Sequence, residues 1–447
     1  MVTRMLFFMS SIHPRDTMLA NYFQLKQHGT DVRTELLAGL TTFLTMAYIL
    51  FVNPTILAAA GMPHDAVFVA TCLVAAIGSA IMGLYANYPI GMAPGMGLNA
   101  YFAFAVVLGM GIPWQQALGA VFISGCLFIL ITLCGLRAVI VNGIPHSLRT
   151  AITVGIGLFL ALVALKGAGL VVANKDTMVS AGNLHAPQAL MAIAGFLLVV
   201  TLDKLRVRGA ILIGILAVTV ASFFFGGNHF DGIFSMPPSL APTFMQLDLR
   251  GAFSSGIINV VLVFFLVELF DATGTLMGVA SRAGLLVEGK MDRLNKALLA
   301  DSGAILAGSM LGTSSTTAYI ESAAGVQAGG RTGLTAVTVA LLFLASLFIA
   351  PLAAVVPAYA TAPALLFVAC LMLREIGDID WDDTTESIPA AITALVIPFT
   401  YSIAEGIAFG FITYACLKLT TGRARQVAPV VWVIAALFLF KFIAIGN

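Results

Sequence analysis

The chain has 447 residues, 60% of them hydrophobic and only 10% charged, with a mean hydropathy of +1.01, whereas soluble domains carry about 25% charged residues. No aqueous fold can hide that much apolar surface, so the surrounding solvent is lipid. A net charge of +1, with Lys and Arg scattered through short loops, excludes the dense basic face that nucleic acid requires.

Residues 1–33 are polar apart from 6–9, too short for the roughly 7–15 residue apolar core of a secretory signal. The first membrane segment is therefore expected to serve as its own insertion signal. Apolar runs near the roughly 20 residues that span the hydrocarbon follow at 36–52, 66–86, 117–136, 152–165, 189–202, 210–225, 257–280, 297–311, 334–356, 363–373, 388–400 and 403–417, with a last one at 430–445. Two further stretches, 92–108 and 316–326, are apolar but interrupted by Gly, Pro and Thr, which make poor full-length helices. Five cysteines, Cys72, Cys126, Cys134, Cys370 and Cys416, lie in or beside apolar stretches without CxxC spacing. They read as buried thiols rather than disulfides or metal ligands.

Basic residues collect on the cytoplasmic side of membrane proteins. With the N-terminus inside and both interrupted stretches counted as crossings, 18 of the 22 basic residues fall inside, Lys441 lies in the final run, and only Lys166, Lys175 and Arg250 fall outside. Omitting either interrupted stretch inverts every later loop and scatters the charges. Fourteen crossings thus end near Thr421–Arg425, and the run at 430–445 is left over. The two interrupted stretches also resemble each other, Leu98-Asn-Ala-Tyr-Phe102 against Thr316-Thr-Ala-Tyr-Ile320, about half the chain apart. An internal duplication with an odd number of crossings per half gives inverted repeats.

Lipid tolerates irregular backbone only where it faces protein or a water-filled cavity. Pro94, Gly95 and Gly97 interrupt the first stretch, and Gly312-Thr-Ser-Ser-Thr-Thr317 precedes the second. Half-helix N-termini at such breaks offer free N–H groups and partial positive charge to a ligand. Ionisable residues inside membrane segments mark function. Asp271 closes an apolar run, Glu321 follows the second break, and Glu268, three residues before Asp271, shares roughly its helix face. Asp301 opens a later run, where a helix-dipole role is an equal alternative. Glu405 starts a late helix near the outside and reads as interfacial. No Walker A pattern occurs, since Gly289-Lys290 is followed by Met291, and there is no HExxH or GxSxG. All six histidines fall in loops or the terminal region. Carboxylates are left as the buried proton carriers, and no nucleophile–base constellation of an enzyme is visible.

The stretches Glu35-Leu-Leu-Ala-Gly-Leu-Thr-Thr-Phe-Leu-Thr-Met-Ala-Tyr-Ile-Leu-Phe-Val-Asn-Pro54, Ala93-Pro-Gly-Met-Gly-Leu-Asn-Ala-Tyr-Phe-Ala-Phe104, Phe270-Asp-Ala-Thr-Gly-Thr275, Ala318-Tyr-Ile-Glu-Ser322 and Gly329-Gly-Arg-Thr-Gly-Leu-Thr-Ala336 resemble the nucleobase–cation symporter family, in its azaguanine-resistance branch of hypoxanthine, guanine and adenine permeases. The resemblance runs from about Phe23 to about Arg425. It implies an all-α polytopic membrane protein of fourteen segments in two inverted repeats of seven, like the uracil permease. Short strands are expected before the half-helices of segments 3 and 10; the run at 430–445 exceeds the uracil-permease pattern and either crosses a fifteenth time or lies against the membrane. The implied boundaries are a cytoplasmic N-terminus at 1–34, repeats at 35–226 and 254–425, an extracytoplasmic loop at 227–253 and an apolar tail at 426–447. A core domain would hold about 35–137 and 254–356, and a gate domain about 147–226 and 360–421.

The implied activity is proton-coupled uptake of a purine base by elevator-type alternating access in a bacterial cytoplasmic membrane, with no cofactor beyond the proton and no metal. Expected partners are a purine base and membrane lipid, with a homodimer left open. The eighth-segment carboxylate that holds the base corresponds to Asp271, where uracil-type relatives carry Glu, and the tenth-segment carboxylate corresponds to Glu321. The base is expected between the half-helices, against Asn99, Ala100, Tyr101 and Phe102 on one side and Thr317, Ala318, Tyr319 and Ile320 on the other. Two carboxylates close together in low dielectric cannot both ionise cheaply, so Asp271, Glu321 and Asp301 are the candidates for carrying the coupled proton. Guanine and hypoxanthine suit an ionised carboxylate better than adenine, because they present an N1–H donor. An adenine permease and an anion transporter or channel of the same fold are the alternatives, the second disfavoured by acids at the site.

Overall fold

The computed structural model describes residues 18–224, 232–252, 257–282, 285–287, 290–291 and 293–444. Most of the expected N-terminal stretch, both ends of the expected loop at 227–253, the start of the second repeat and the last three residues of the tail lie outside the described residues.

Among the described residues, nine helices are long and apolar enough to cross a membrane: Val32–Ala59, His64–Ala86, Trp114–Leu133, His146–Gly167, Pro187–Lys204, Asn259–Ala280, Gly333–Val355, Ala358–Asp378 and Ile403–Thr420. The other expected segments are shorter or more polar helices: Met96–Gly109 and Ala210–Phe224, and Leu294–Leu311, Ser322–Gln327 and Thr384–Thr400. The architecture is the expected all-α membrane fold, with strands confined to short pairs. Numbered in chain order, segments 1–4 (32–133) pack chiefly on segments 8–11 (259–355), and segments 5–7 (146–224) on segments 12–14 (358–420).

Lipid tails are as apolar as leucine, so helices in a bilayer associate through close packing and hydrogen bonds rather than the hydrophobic effect. Small residues carry the contacts between the two repeats. A methyl group on Gly333 would stand 1.9 Å from the Gly83 carbonyl, and one on Gly325 would stand 2.0 Å from the Thr42 hydroxyl. Segment 2 ends in a π-helical turn at Met82–Ala86 and stops at Asn87 in the left-handed region (φ 54). The Asn87 side chain accepts a 2.7 Å bond from the Gly333 N–H, which fixes the start of segment 11.

A buried acid organises the same junction. Glu35, in the first turns of segment 1, is fully buried. Its carboxylate accepts from the N–H groups of Arg331 (2.9 Å), Thr332 (3.3 Å) and Thr335 (3.2 Å) and from the Thr335 hydroxyl (2.6 Å). Thr332 is the N-cap and Thr335 the third residue of the helix Gly333–Ala345, so the carboxylate lies on the N-terminus of that helix, where backbone donors are left open. Arg331 turns the other way and donates to the carbonyls of Val326 (2.8 Å) and Gly330 (2.9 Å), closing the end of segment 10.

The leftover apolar run forms the helix Pro429–Ala444, which packs on segment 14 and on the short helix Leu136–Gly143. Its 16 residues span about 24 Å, less than the roughly 30 Å of hydrocarbon. The cysteines correct the sequence expectation: only Cys72 is buried, and Cys126, Cys134, Cys370 and Cys416 are exposed on the protein surface. An apolar stretch in a membrane protein faces lipid as readily as it faces protein, so hydrophobic context does not imply burial.

Replacing Glu35 by Ala strands several buried donors. Loss of roughly 2–3 kcal/mol is expected, read as a lower temperature for loss of monodisperse protein in detergent. Glu35→Gln, which keeps an acceptor oxygen, is expected to fall between the two.

Candidate functional site

The two interrupted stretches satisfy each other's backbone. Met92–Pro94 and Thr316–Ala318 form an antiparallel pair, with Met92 opposite Ala318, Ala93 opposite Thr317 and Pro94 opposite Thr316. The Gly95 N–H donates to the Ser315 carbonyl (2.9 Å) and the Tyr319 N–H to the Gly91 carbonyl (3.0 Å), extending the ladder at both ends. Proline has no N–H to donate, and it stands at the last paired position, where the strand ends. The Tyr319 hydroxyl donates to the Pro94 carbonyl (2.6 Å) and locks the crossing.

A half-helix leaves each end of this pair. Gly95 caps Met96–Ala100, which continues in π-helical form over Tyr101–Gly109. Glu321 caps Ser322–Gln327. The Asn99 N–H is already bonded to the Gly95 carbonyl (2.9 Å), so the open donors of the first half-helix are those of Met96, Gly97 and Leu98, one turn earlier than the expected Asn99–Phe102. Pro94 closes the strand, Gly95 is the cap, and Gly97 lies already within the half-helix. There its missing side chain admits Ile156 of segment 5, whose Cγ2 would be 2.7 Å from an added methyl.

Segment 8 runs past both breaks. A methyl on Gly95 would lie 3.8 Å from the Asp271 Oδ2, and one on Gly278 would lie 3.7 Å from the Ile320 Cδ1. Gly274, between them, has open space in front of it. Asp271, Gly274 and Gly278, spaced three and four apart, share one helix face. Asp271 is exposed to this space although its neighbours Leu269 and Ala272 are buried. Ile320 is 42% exposed and Glu321 partly so. The Tyr48 hydroxyl donates to Glu321 Oε1 (2.6 Å), and the Thr45 hydroxyl reaches the Glu321 carbonyl (3.4 Å). Asp271 lies within electrostatic reach of Glu321, Asp301 and Glu375, the last at the end of segment 12.

The structure thus sets Asp271 against Gly95, Gly278 against Ile320 and Asp271 within electrostatic reach of Glu321, with open space in front of Gly274 between them. Asn99, Ala100, Tyr101 and Phe102 are buried along the half-helix. The Asn99 amide donates to Asn53 Oδ1 (2.7 Å), and the Asn53 amide donates to Thr71 (2.8 Å) and Thr313 (2.9 Å). Tyr101 packs edge-on against Phe264, 5.1 Å between ring centroids, and Phe102 also lies against Phe264. Thr317 and Ala318 are buried in the strand, and Tyr319 is nearly so. Glu268, predicted to share a face with Asp271, is fully buried and accepts from the Ser315 hydroxyl instead. Asp301 lies two turns into its helix, not at an end, and pairs with Arg137 (3.7 Å). The sequence does not single out Tyr48, Asn53, Arg137 or Glu375, although Tyr48 and Asn53 stand as polar groups inside the motif at 35–54; Ser315 lies within the break at 312–317. A second cavity, lined by residues such as Ala164, Ala168, Phe196, Pro363 and Leu366, has apolar side chains only and offers no polar recognition.

A membrane fold in which two broken segments pair as short strands and continue as half-helices, with carboxylates beside the breaks, is the pattern of a transporter. The family described as the permease family matches residues 33–441, and the chain belongs to it, within the nucleobase:cation symporter-2 group. Adenine permease AdeP of Escherichia coli is 50% identical over 96% of this chain and 96% of its own length. Guanine/hypoxanthine permease PbuO of Bacillus subtilis is 46% identical over 94% of this chain and 99% of its own. Among solved structures, the transmembrane domain of the cyanobacterial bicarbonate transporter BicA superposes with a TM-score of 0.63, covering 85% of this chain and 97% of that one at 17% identity, and so shares the fold. The protein is a permease and not an enzyme.

The opening can be probed from water. In a background with the native cysteines replaced, Gly274→Cys is expected to react rapidly with a hydrophilic thiol reagent, and Ala272→Cys to stay unreactive. Equal reactivity at the two positions would contradict the geometry.

Proposed function

We propose that the protein imports purine nucleobases in symport with protons across a bacterial cytoplasmic membrane, its N-terminus inside. The observation that carries this reading is the placement of two carboxylates, Asp271 and Glu321, on an opening beside the crossed strands. A base edge carries N–H donors and carbonyl or ring-nitrogen acceptors together. Carboxylates accept from the donors, and the open N–H groups of Met96, Gly97 and Leu98 supply the complementary donors. Tyr48 occupies one oxygen of Glu321 and leaves the other for the base. Asp271 would meet the opposite edge. Acids at the opening argue against an anion as cargo, although BicA carries bicarbonate on the same fold.

The 6-oxopurines, guanine and hypoxanthine, present an N1–H to an ionised carboxylate, and guanine adds a 2-amino group. Adenine is the second reading, favoured by the 50% identity to AdeP. Alternating access would come from an elevator motion of a core domain, about 35–137 and 254–356, against a gate domain, about 147–226 and 360–421. The preferential packing of segments 1–4 on 8–11 and of 5–7 on 12–14 supports that division. The motion would carry Gly97 past Ile156, a contact made smooth by the missing side chain.

Uptake of labelled guanine, hypoxanthine, adenine, xanthine and uracil into vesicles, with and without an imposed proton gradient, tests the proposal. Purine uptake that rises with an inward gradient is expected; indifference to every base would overturn it. Glu321→Gln and Asp271→Asn each weaken an ionic hydrogen bond, so apparent affinity should fall roughly 10- to 100-fold. Tyr48→Phe removes one neutral donor and should cost roughly five- to tenfold. Normal transport by both carboxylate variants would refute the site.

A further inference from the structure

Behind the opening, a second group of charges is closed off from it. Arg137 stands in the first turn of the short helix Leu136–Gly143, which joins segments 4 and 5 and follows Gly135 in the left-handed region (φ 70). Its position between two apolar runs reads as a loop, yet its side chain is only 3% exposed. The guanidinium lies over Phe128, 4.8 Å from the ring centroid. Its Nη2 is 3.7 Å from Oδ2 of Asp301, whose side chain is 0% exposed. No guanidinium nitrogen and neither Asp301 oxygen has a hydrogen bond of ordinary geometry. Charge, not a bidentate fork, holds the pair together.

Other groups face the same pair. Glu268 of segment 8 is within electrostatic reach of both Arg137 and Asp301. It accepts from the Ser315 hydroxyl on Oε2, and its Oε1 is buried without a partner. Asp271, one helical turn further on, is the next acid in reach. On the side of the second break, Asp301 lies beside Thr317 and the Ala318 N–H. Among the described residues, one cation therefore serves two fully enclosed acids. Arginine keeps its proton in proteins, and a buried charge without a counter-charge costs several kcal/mol. The cation can balance one acid, and the other is neutral only as the carboxylic acid.

We propose that Arg137 is a positioning residue for proton coupling: it is the fixed counter-cation of Asp301, and by holding that acid ionised it leaves Glu268 to carry the exchangeable proton. The proton adds to the free Oε1 of Glu268, given up by a hydronium ion that becomes water, and Asp271, one turn away, is the next acid toward the opening. Ser315 then links the occupancy of Glu268 to the strand that leads to Glu321. Asp301 was a candidate for the coupled proton on sequence grounds; this pairing assigns it the opposite role. The inference rests on the transport reading above.

The test compares Arg137→Gln, Arg137→Lys, Asp301→Asn and the double variant Arg137→Gln/Asp301→Asn, at matched amounts in the membrane, for uptake of the preferred purine over a pH series. Asp301→Asn strands the cation and should reduce uptake at least roughly tenfold at every pH. Arg137→Gln leaves Asp301 to be neutralised by a proton, so its uptake should hold at acidic pH and fail on the alkaline side earlier than in the parent. The double variant removes both charges and should recover most of the uptake and the parent's alkaline limb; Arg137→Lys should stay near the parent. If Arg137→Gln lowers uptake equally at all pH values and the double variant is no better than Asp301→Asn, the proposal is overturned. Thermal stability of the same four proteins in detergent is read in parallel. If the parent moves no purine, the transport reading fails, while the pairing of Arg137 with Asp301 is still judged by whether the double variant is more stable than Asp301→Asn.

Discussion

Every backbone N–H and C=O inside a bilayer must find a partner within the protein, and the rest of this structure follows from how two broken segments meet that demand. Neither 92–94 nor 316–318 can be helical, because glycines, a proline and a run of hydroxylated residues interrupt them. Each supplies the other's hydrogen bonds across an antiparallel pair. The pairing fixes where two half-helices begin, and thus where unsatisfied N–H groups sit in the middle of the protein. It also ties the first repeat to the second at their most irregular points. The Tyr319 hydroxyl on the Pro94 carbonyl and the Ser322 hydroxyl under the Gly91 N–H (3.0 Å) add side-chain bonds to the same crossing.

Around that crossing the protein separates two kinds of acid. Asp271 and Glu321 open onto accessible space, where water or a polar ligand can meet them. Glu268 and Asp301 are enclosed, and their surroundings are built from Ser315, Thr317 and one arginine. Low dielectric makes the distinction energetic as well as geometric: an accessible acid can exchange its counter-charge for a ligand, whereas an enclosed one needs a proton or a fixed cation. Glu35 represents a third case, a buried carboxylate satisfied almost wholly by N–H donors at the head of segment 11. It joins segment 1 to the head of segment 11.

Much of this was legible in the sequence, for identifiable reasons. The breaks at 92–108 and 316–326 stood out because Gly, Pro and Thr interrupt otherwise continuous apolar runs, and the distribution of basic residues required both to cross. Asp271 and Glu321 stood out because ionisable groups are rare in lipid. The pairing register could not be read, since it joins two three-residue strands from opposite halves of the chain. Tyr48 and Asn53 were hidden inside an apolar run, where a phenol or an amide looks like ordinary segment composition. Arg137, between two apolar runs, counts among the basic residues at segment ends, and only the inward turn of its side chain after Gly135 shows that it is buried. Glu268 and Asp271, three residues apart, were expected on one face; the 60° between them is enough to put one in the packed interior and the other on the gap.

On the proposed function, the cargo binds in the gap beside the strand crossing. A cryo-EM structure of the protein with guanine or adenine, whichever it takes up, tests this most directly. The account predicts the base against the Met96 end of the first half-helix, with an N–H edge on Glu321 and its other edge toward Asp271. A base bound elsewhere, with Asp271 and Glu321 both out of contact, would contradict it.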